Sequence, residues 1–465
     1  TLPIVNSSES RTFPNWLRIP FPITNHLYLF NISNIEAVKE MKEKPQLKQI
    51  GPFVYSENRH KVNISWYSGT ERTKTGGDTV EYEQVKRFHF HPELSNGTLN
   101  DSIYHLNVAL ISAGDHIRQQ GGSDVEYFLL NSFVKMTGSV LYPHHTAGEL
   151  LFNGYEDPLI TFARKFHFNV PYDKFGWFYG KNNTASDGKF RIFTGVSNLA
   201  DIGKMFEWNG ETKLKAWSSN CNKLTDDTPG EIFAPFTTDS PRKFVKIFVG
   251  EICRPLKLYF SGVHSIYDVK IHRYEITKST FDYSLDENKC YCPNNGTCPA
   301  NGLTITSSCQ YGAPVGVSSP HFLYAAKNYF EHIDGLKPDP ELHKFFIDIE
   351  PTLGIPLRIA VRMQINVLLE RNKKLNFAKK LKYPKVYYPQ IWFDVSAQVD
   401  RETAKSLHLV QNVSSYVQIS ALIGAAIGFI MFCFTLHCYT KNLLMRRQMQ
   451  KYRNLEVAPE SPSTS

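Results

Sequence analysis

The side chains able to do chemistry in this sequence are, first, its eight cysteines and sixteen histidines. Six of the cysteines, Cys221, Cys253, Cys290, Cys292, Cys298 and Cys309, fall between residues 221 and 309, and none precedes them. An even set crowded into one stretch has two physical readings. In an oxidising compartment it forms three disulfides. In a reducing one, Cys-x-Cys-x5-Cys superficially resembles a zinc cluster, but zinc ribbons use paired Cys-x2-Cys knuckles or added histidine, and this spacing fits neither. Disulfides are the favoured reading, and six cysteines allow fifteen pairings, among which spacing alone does not choose.

His89 and His91 alternate onto one face of a strand, and His144 and His145 are adjacent. Two imidazoles begin a metal site, but no third ligand is identifiable, so surface histidines are the expectation and metal is none. The Gly-x-Ser-x-Gly elbow, His-Glu-x-x-His, the phosphate-binding Gly-x4-Gly-Lys-Ser/Thr loop and Gly-x-Gly-x-x-Gly are all missing. The chain is read as not an enzyme, with no catalytic residue and no cofactor.

Asn-x-Ser/Thr sequons begin at Asn6, Asn31, Asn63, Asn96, Asn100, Asn182, Asn295 and Asn412. A dense set of this kind marks a secreted surface that carries glycans. All eight precede a run from Tyr416 to Tyr439 that contains no Asp, Glu, Lys or Arg. As a helix that run is roughly 36 Å long, enough to cross a bilayer with some tilt. Lys441, Arg446, Arg447 and Lys451 follow it, which makes the C-terminal side cytoplasmic. Residues 1–415 are then extracellular or luminal, 416–439 membrane-spanning, and 440–465 a tail expected to be too short to fold. The chain starts on Thr1, and a signal or first membrane helix is expected to precede it.

Within the span, Gly424 and Gly428 form a Gly-x3-Gly pair through which two copies could approach closely as a homo-oligomer. Cys433 and Cys438 sit towards its cytoplasmic end as candidate palmitoylation sites. Tyr452-Arg453-Asn454-Leu455 has the Tyr-x-x-hydrophobic pattern that endocytic sorting adaptors read, within reach of a flexible tail.

The elements that position these residues are mostly strands. Asn25–Ile32, Thr79–His91, several segments within Lys243–Tyr274, Leu357–Leu369 and Lys385–Val395 have strand character, and Gly51–Tyr55 is expected to form a turn. Asp124–Tyr142 predicts a helix capped by Asp124 and apolar around most of its circumference; His321–His332 predicts a second, short one. Apolar residues make up 42% and aromatics 13%, a composition that buries a large core. The formal net charge of +8 is spread along the chain rather than gathered on one element, which argues against nucleic acid as a partner. The class expected is one large α+β domain, mainly β, with its helices mid-sequence.

Several stretches carry a resemblance. Gly51–Tyr55, Asn153–Leu159, Asn182–Gly188 with Phe193–Gly195, Pro235–Phe236, Ile252–Arg254, Cys290–Cys309 with Ser319–Leu323, Ile349–Pro351 with Gly354, and Gln364–Asn366 occur in the order found in the class B scavenger receptors. That group includes the fatty acid translocase, the high-density-lipoprotein receptor, a lysosomal integral membrane protein and insect sensory neuron membrane proteins. The resemblance covers about residues 20 to 440. It implies an antiparallel β-barrel core, an apical helical bundle and an apolar tunnel, between two membrane helices. It also implies the pairs Cys221–Cys290, Cys253–Cys309 and Cys292–Cys298.

The implied ligands are fatty acids, phospholipids, sterols or lipoproteins, met at the apex by Phe128–Leu141, with Phe128, Phe133 and Met136 as apolar wall and Lys135 as cation. Where the fatty acid translocase clusters lysines, this chain has the single Lys135 followed by Met136, Thr137 and Gly138. The main expectation is a plasma-membrane receptor for lipid uptake or transfer to membrane lipids. The alternatives are a lysosomal or endosomal membrane receptor that escorts a luminal hydrolase, with His144 and His145 as pH sensors, and a sensory co-receptor for hydrophobic odorants.

Overall fold

A computed structural model describes residues 3–6, 10, 12–74, 76–167, 170, 172–224, 226–236, 240–293 and 298–456. The strands are β1 (Ile23–Ile32), β2 (Leu47–Ser68), β3 (Glu71–Thr73), β4 (Thr79–Phe90), β5 (Ser102–Tyr104), β6 (His144–Thr146), β7 (Lys189–Phe193), β8 (Met205–Trp208), β9 (Phe244–Val249), β10 (Arg254–Ile266), β11 (Val269–Glu275), β12 (Leu303–Ile305), β13 (Val315–Ser318), β14 (Phe346–Glu350), β15 (Ile355–Glu370) and β16 (Lys385–Gln398). Helices are α1 (Thr12–Leu17), α2 (Ile35–Lys39), α3 (Val108–Gln119), α4 (Asp124–Thr137), α5 (Pro158–Lys165), α6 (Asp286–Lys289), α7 (Pro340–His343) and α8 (Arg401–Glu456). Two compact units result: residues 1–266 with 270–400, and residues 267–269 with 401–465.

Fourteen strands form one sheet along the path β8-β7-β4-β2-β1-β16-β15-β14-β11-β10-β9, with β3, β12 and β13 attached at its side. Alternation writes the strands: along β1 every second side chain from Ile23 to Leu29 is buried. The path is open, because β8 and β9 do not pair as strands. Residues 227 and 228 do, however, bond to both ends: Met205 N–H donates to the Asp227 carbonyl at 2.8 Å, and Phe248 N–H to that of Thr228 at 2.8 Å.

Three sequence expectations need correction. Gly51–Tyr55 is not a turn but lies inside the 22-residue β2. The Gly51–Pro52 peptide is cis, with Gly51 at φ 117°, and β2 absorbs the irregularity as a register shift against β1 between Leu27 and Leu29. His321–His332 is not a helix: it forms two 3-10 turns, and His321, Phe322 and Tyr324 take positive φ values that no α-helix accommodates. The helix expected over Asp124–Tyr142 ends at Thr137, where Gly138 adopts φ 68° and caps it. Its N-cap is Ser123, not Asp124: Glu126 N–H donates to Ser123 Oγ, and Ser123 N–H donates back to Glu126 at 2.7 Å, a reciprocal capping box.

The apolar run at the C-terminus lies within α8, and among the described residues Tyr416–Arg453 is the helical stretch long and apolar enough to cross a membrane. α8 continues to Glu456, so the tail expected to be flexible is helical through Tyr452 and Leu455. The physical reason lies in residues 441–453, which are rich in Lys, Leu, Met, Arg and Gln, all strong helix formers.

Candidate functional site

The three longest helices outside α8 all fall within residues 108–165. They share one core, in which Leu110 and Ile111 of α3, Tyr127 and Leu130 of α4, and Leu159 of α5 meet Ile32, Leu369 and Val386 at one end of β1, β15 and β16. α4 is held from both sides. Its capping box fixes the start, and Asn131 fastens its middle to the loop before β16: Nδ2 donates to the Lys374 carbonyl at 2.8 Å, while Oδ1 accepts from Asn376 N–H at 2.9 Å. α5 begins at the buried Asp157, whose carboxylate accepts from Leu159 N–H at 2.8 Å.

So fixed, α4 turns apolar side chains to solvent. Phe128 is 67% exposed and Met136 76%, with Val125 and Leu129 also more than half exposed. At 100° per residue, Val125, Phe128, Leu129, Ser132, Lys135 and Met136 share one face, with Lys135 two turns beyond Phe128. Only Tyr127 and Leu130 are buried. The all-round apolar helix expected from the sequence is therefore an outward stripe on a helix of which only a narrow face is in the core. Phe133 points elsewhere: it is half-buried and packs on Phe162 of α5, ring centroids 4.8 Å apart. Phe162 in turn meets Phe166 at 4.5 Å, and both are exposed, so the aromatic surface continues from α4 onto α5. Val125, Leu129, Phe162 and Phe166 were not singled out by sequence; the signal was the i, i+4 aromatic pair on a short basic helix. Lys135 and Lys165 border the surface, both exposed and neither ion-paired among the described residues.

The histidines are arranged in pairs. His145 lies flat on Tyr155, with centroids 3.6 Å apart, and its Nδ1 is 2.8 Å from Nε2 of the buried His105. The Leu106 carbonyl accepts from His105 Nδ1, which makes His145 Nδ1–H the donor to His105 Nε2. Burial, then the neighbouring His145, pushes His105 down to about 3. His145 is also lowered, by burial first. The exposed His144 only rests against Tyr104. His89 and His91 touch, but His91 is occupied by Glu93 and Ser56, and no group of three or more metal-binding side chains gathers among the described residues.

The cysteines are joined as Cys221–Cys290, Cys253–Cys309 and Cys292–Cys298. With sequence separations of 69, 56 and 6 between partners, the loop-entropy account gives about 4, 4 and 2 kcal/mol. Arg254, next to Cys253 and 2% exposed, knits the module together. Its guanidinium lies 3.6 Å over the Tyr291 ring and donates to Thr304 Oγ1 and Asn288 Oδ1, with no carboxylate among its bonds to the described residues.

Asn6, Asn63, Asn96, Asn100 and Asn182 are exposed; Asn31 and Asn412 are half-exposed, and Asn31 Oδ1 is engaged by Tyr104 N–H at 2.8 Å. Asn295 lies outside the described residues. Cys433 and Cys438 are exposed free thiols on α8, as Gly424 and Gly428 are exposed glycines.

Comparison with known proteins gives the arrangement a lineage. Residues 2–439 match the CD36 family. The chain is 30% identical to scavenger receptor class B member 1 of Rattus norvegicus, covering 98% of this chain and 89% of that one. It is 32% identical to the Cricetulus griseus protein of the same name over 88% of this chain and 78% of that one. To lysosome membrane protein 2 of Homo sapiens it is 30% identical, over 91% and 85%. A glycine-proline irregularity within β2, a disulfide module braced by a buried arginine, and a C-terminal apolar helix thus occur in a chain that belongs to the CD36 family.

Proposed function

We propose that the chain is a receptor, not an enzyme, that binds lipids or lipoproteins on the α4–α5 surface and delivers them to the membrane or into endocytosis. The observation that carries this reading is the outward apolar stripe Val125, Phe128, Leu129 and Met136 beside Lys135. A soluble surface rarely leaves such a row uncovered. An acyl chain laid along it gains about 0.8 kcal/mol per buried CH2, while the ammonium attracts a carboxylate or phosphate. In this reading the strand path closes through residues 227–228 into a barrel around an apolar tunnel that receives the lipid. Residues 1–415 lie outside the plasma membrane carrying glycans, α8 crosses it, and Cys433, Cys438, Tyr452 and Leu455 serve on the cytoplasmic side for palmitoylation and sorting. An adaptor that reads Tyr452–Leu455 in extended form must first unwind the end of α8.

The test is saturable binding of fatty acid and of phosphatidylserine vesicles to the glycosylated protein. Absence of binding to every lipid and lipoprotein offered overturns the reading. The buried His105, bonded to His145, favours a second one, a lysosomal membrane receptor whose luminal part loosens in acid. Microscopy separates the two: a purely plasma-membrane signal rules out the lysosomal assignment.

A further inference from the structure

An open cavity of about 340 Å³ lies far along the chain from α4, where the N-terminal segment meets the β2–β3 hairpin. Its floor is apolar and aromatic, made by Phe13, Ile64 and the buried Trp66; the Phe13 and Trp66 rings are 5.7 Å apart and inclined at 48°. The hairpin supplies its polar wall. Trp66 pairs with Thr73 and Tyr67 with Arg72 across the strands, which sets Arg72 and Lys74 on the rim. Both are exposed, and neither is ion-paired among the described residues.

The remaining wall is Asn6, the first residue of an Asn-Ser-Ser sequon. Its backbone is tethered: two residues earlier Ile4 is fully buried and donates its N–H to the Thr194 carbonyl at 2.9 Å. A side chain that can carry an N-linked sugar is therefore held at the opening.

We propose that this cavity cradles the first N-acetylglucosamine of a glycan on Asn6. A pyranose presents a C–H face and a polar edge. The C–H face suits the half-buried Phe13 ring, which rests on Trp66; the hydroxyl and acetamide oxygens of the edge accept from Arg72 and Lys74. Covalent attachment at the rim replaces affinity with a high local concentration, so modest contacts suffice. The seated sugar covers the apolar floor and ties the N-terminal segment to the hairpin. The proposal rests on the reading that this part of the chain carries glycans.

The full chain, expressed in glycosylating cells, is mapped by glycopeptide mass spectrometry and then treated, still folded, with peptide-N-glycosidase. The Asn6 glycan is expected to be released about tenfold more slowly than those at the exposed Asn63 and Asn96, as a locally protected group is. The surface double variant Arg72→Ser/Lys74→Ser is expected to bring its release up to theirs. Equal rates in the unsubstituted protein, or an unchanged slow rate in the variant, overturn the cradle. A bare Asn6 beside glycosylated Asn63 and Asn96 also overturns it while leaving the topology intact; a chain bare at every sequon overturns both.

Discussion

Acidification strains a second buried histidine pair, His321 and His343, and the size of the effect follows from its geometry. The rings stack at 4.6 Å and are 6% and 4% exposed. Each Nδ1 accepts a backbone N–H: Lys337 donates to His321 at 3.1 Å and Asp339 to His343 at 2.9 Å. His321 Nε2–H donates to Gln49 Oε1 at 2.8 Å, an oxygen that also receives Trp392 Nε1–H. A proton on either Nδ1 would face an N–H, so the fold requires both rings neutral. The other charges facing the pair are Asp339, which favours a charged His343, and Arg362, which opposes it and is itself paired with Asp394.

Burial lowers both histidines from 6.5 to about 4, with His343 further lowering His321. A base depressed in the fold leaves the unfolded state holding more protons below 6.5. Its contribution is therefore complete above pH 6.5, falls as pH drops, and is gone below about 4. At pH 5 each ring costs roughly 2 kcal/mol of stability relative to pH 7. The cost falls on residues 320–343, which the pair fastens to β2, β15 and β16. Hydrogen exchange at pH 7 and pH 5, corrected for intrinsic rate, should show the amides of Lys337 and Asp339 losing at least about twentyfold protection, with the centres of β15 and β16 unaffected. His343→Asn keeps an acceptor for Asp339 N–H and should remove about half of the pH dependence. An unchanged pH dependence in that variant, or no loss of protection in the parent protein, would refute the reasoning.

Other outcomes follow from contacts already described. Arg254→Ala leaves the Tyr291 face uncovered and Asn288 and Thr304 without their donor; thermal unfolding should show a loss of about 3 kcal/mol. Cys253→Ser/Cys309→Ser opens the 56-residue separation and should cost about 4 kcal/mol, read as reduced secretion and a lower unfolding temperature. Asn131→Ala releases α4 from residues 374–376 and should raise exchange throughout α4 by about tenfold, leaving β1 and β16 protected. Lys135→Glu should weaken binding of anionic vesicles several-fold at low salt and hardly at all in about 1 M salt, where screening removes the charge contribution.

The sheet was legible where a single pattern governed a segment. β1 and most of β4 alternate, β15 and β16 are rich in β-branched and aromatic residues, and the expected bounds of each lie within a few residues of the strand. β2 was obscured because Gly51–Pro52 is the local signature of a turn; pairing with β1 on one side, and bonds from Asn96 N–H to the Pro52 carbonyl and His91 N–H to that of Val54 on the other, keep that segment extended. At His321 the local pattern suggested a helix, yet bonds to Gln364 and Gln49, both distant in sequence, hold the backbone at positive φ. Sequence also pointed to Phe128, Lys135 and Met136, but not to the direction in which α4 faces. An apolar circumference normally means core, and which sector is buried depends on where β1, β15 and β16 end. His105 escaped notice because nothing near it in the sequence indicates that His145 will lie against it.

The measurement closest to the central claim is lipid binding by a surface variant of α4. Phe128→Asp/Leu129→Asp changes two side chains that are already more than half exposed, so the fold should survive, as circular dichroism and secretion would report. If acyl chains are held on this stripe, losing two apolar contacts at about 1 kcal/mol each should weaken binding of phosphatidylserine vesicles and fatty acid by at least tenfold. A folded variant that binds both as tightly as the parent protein would contradict the account.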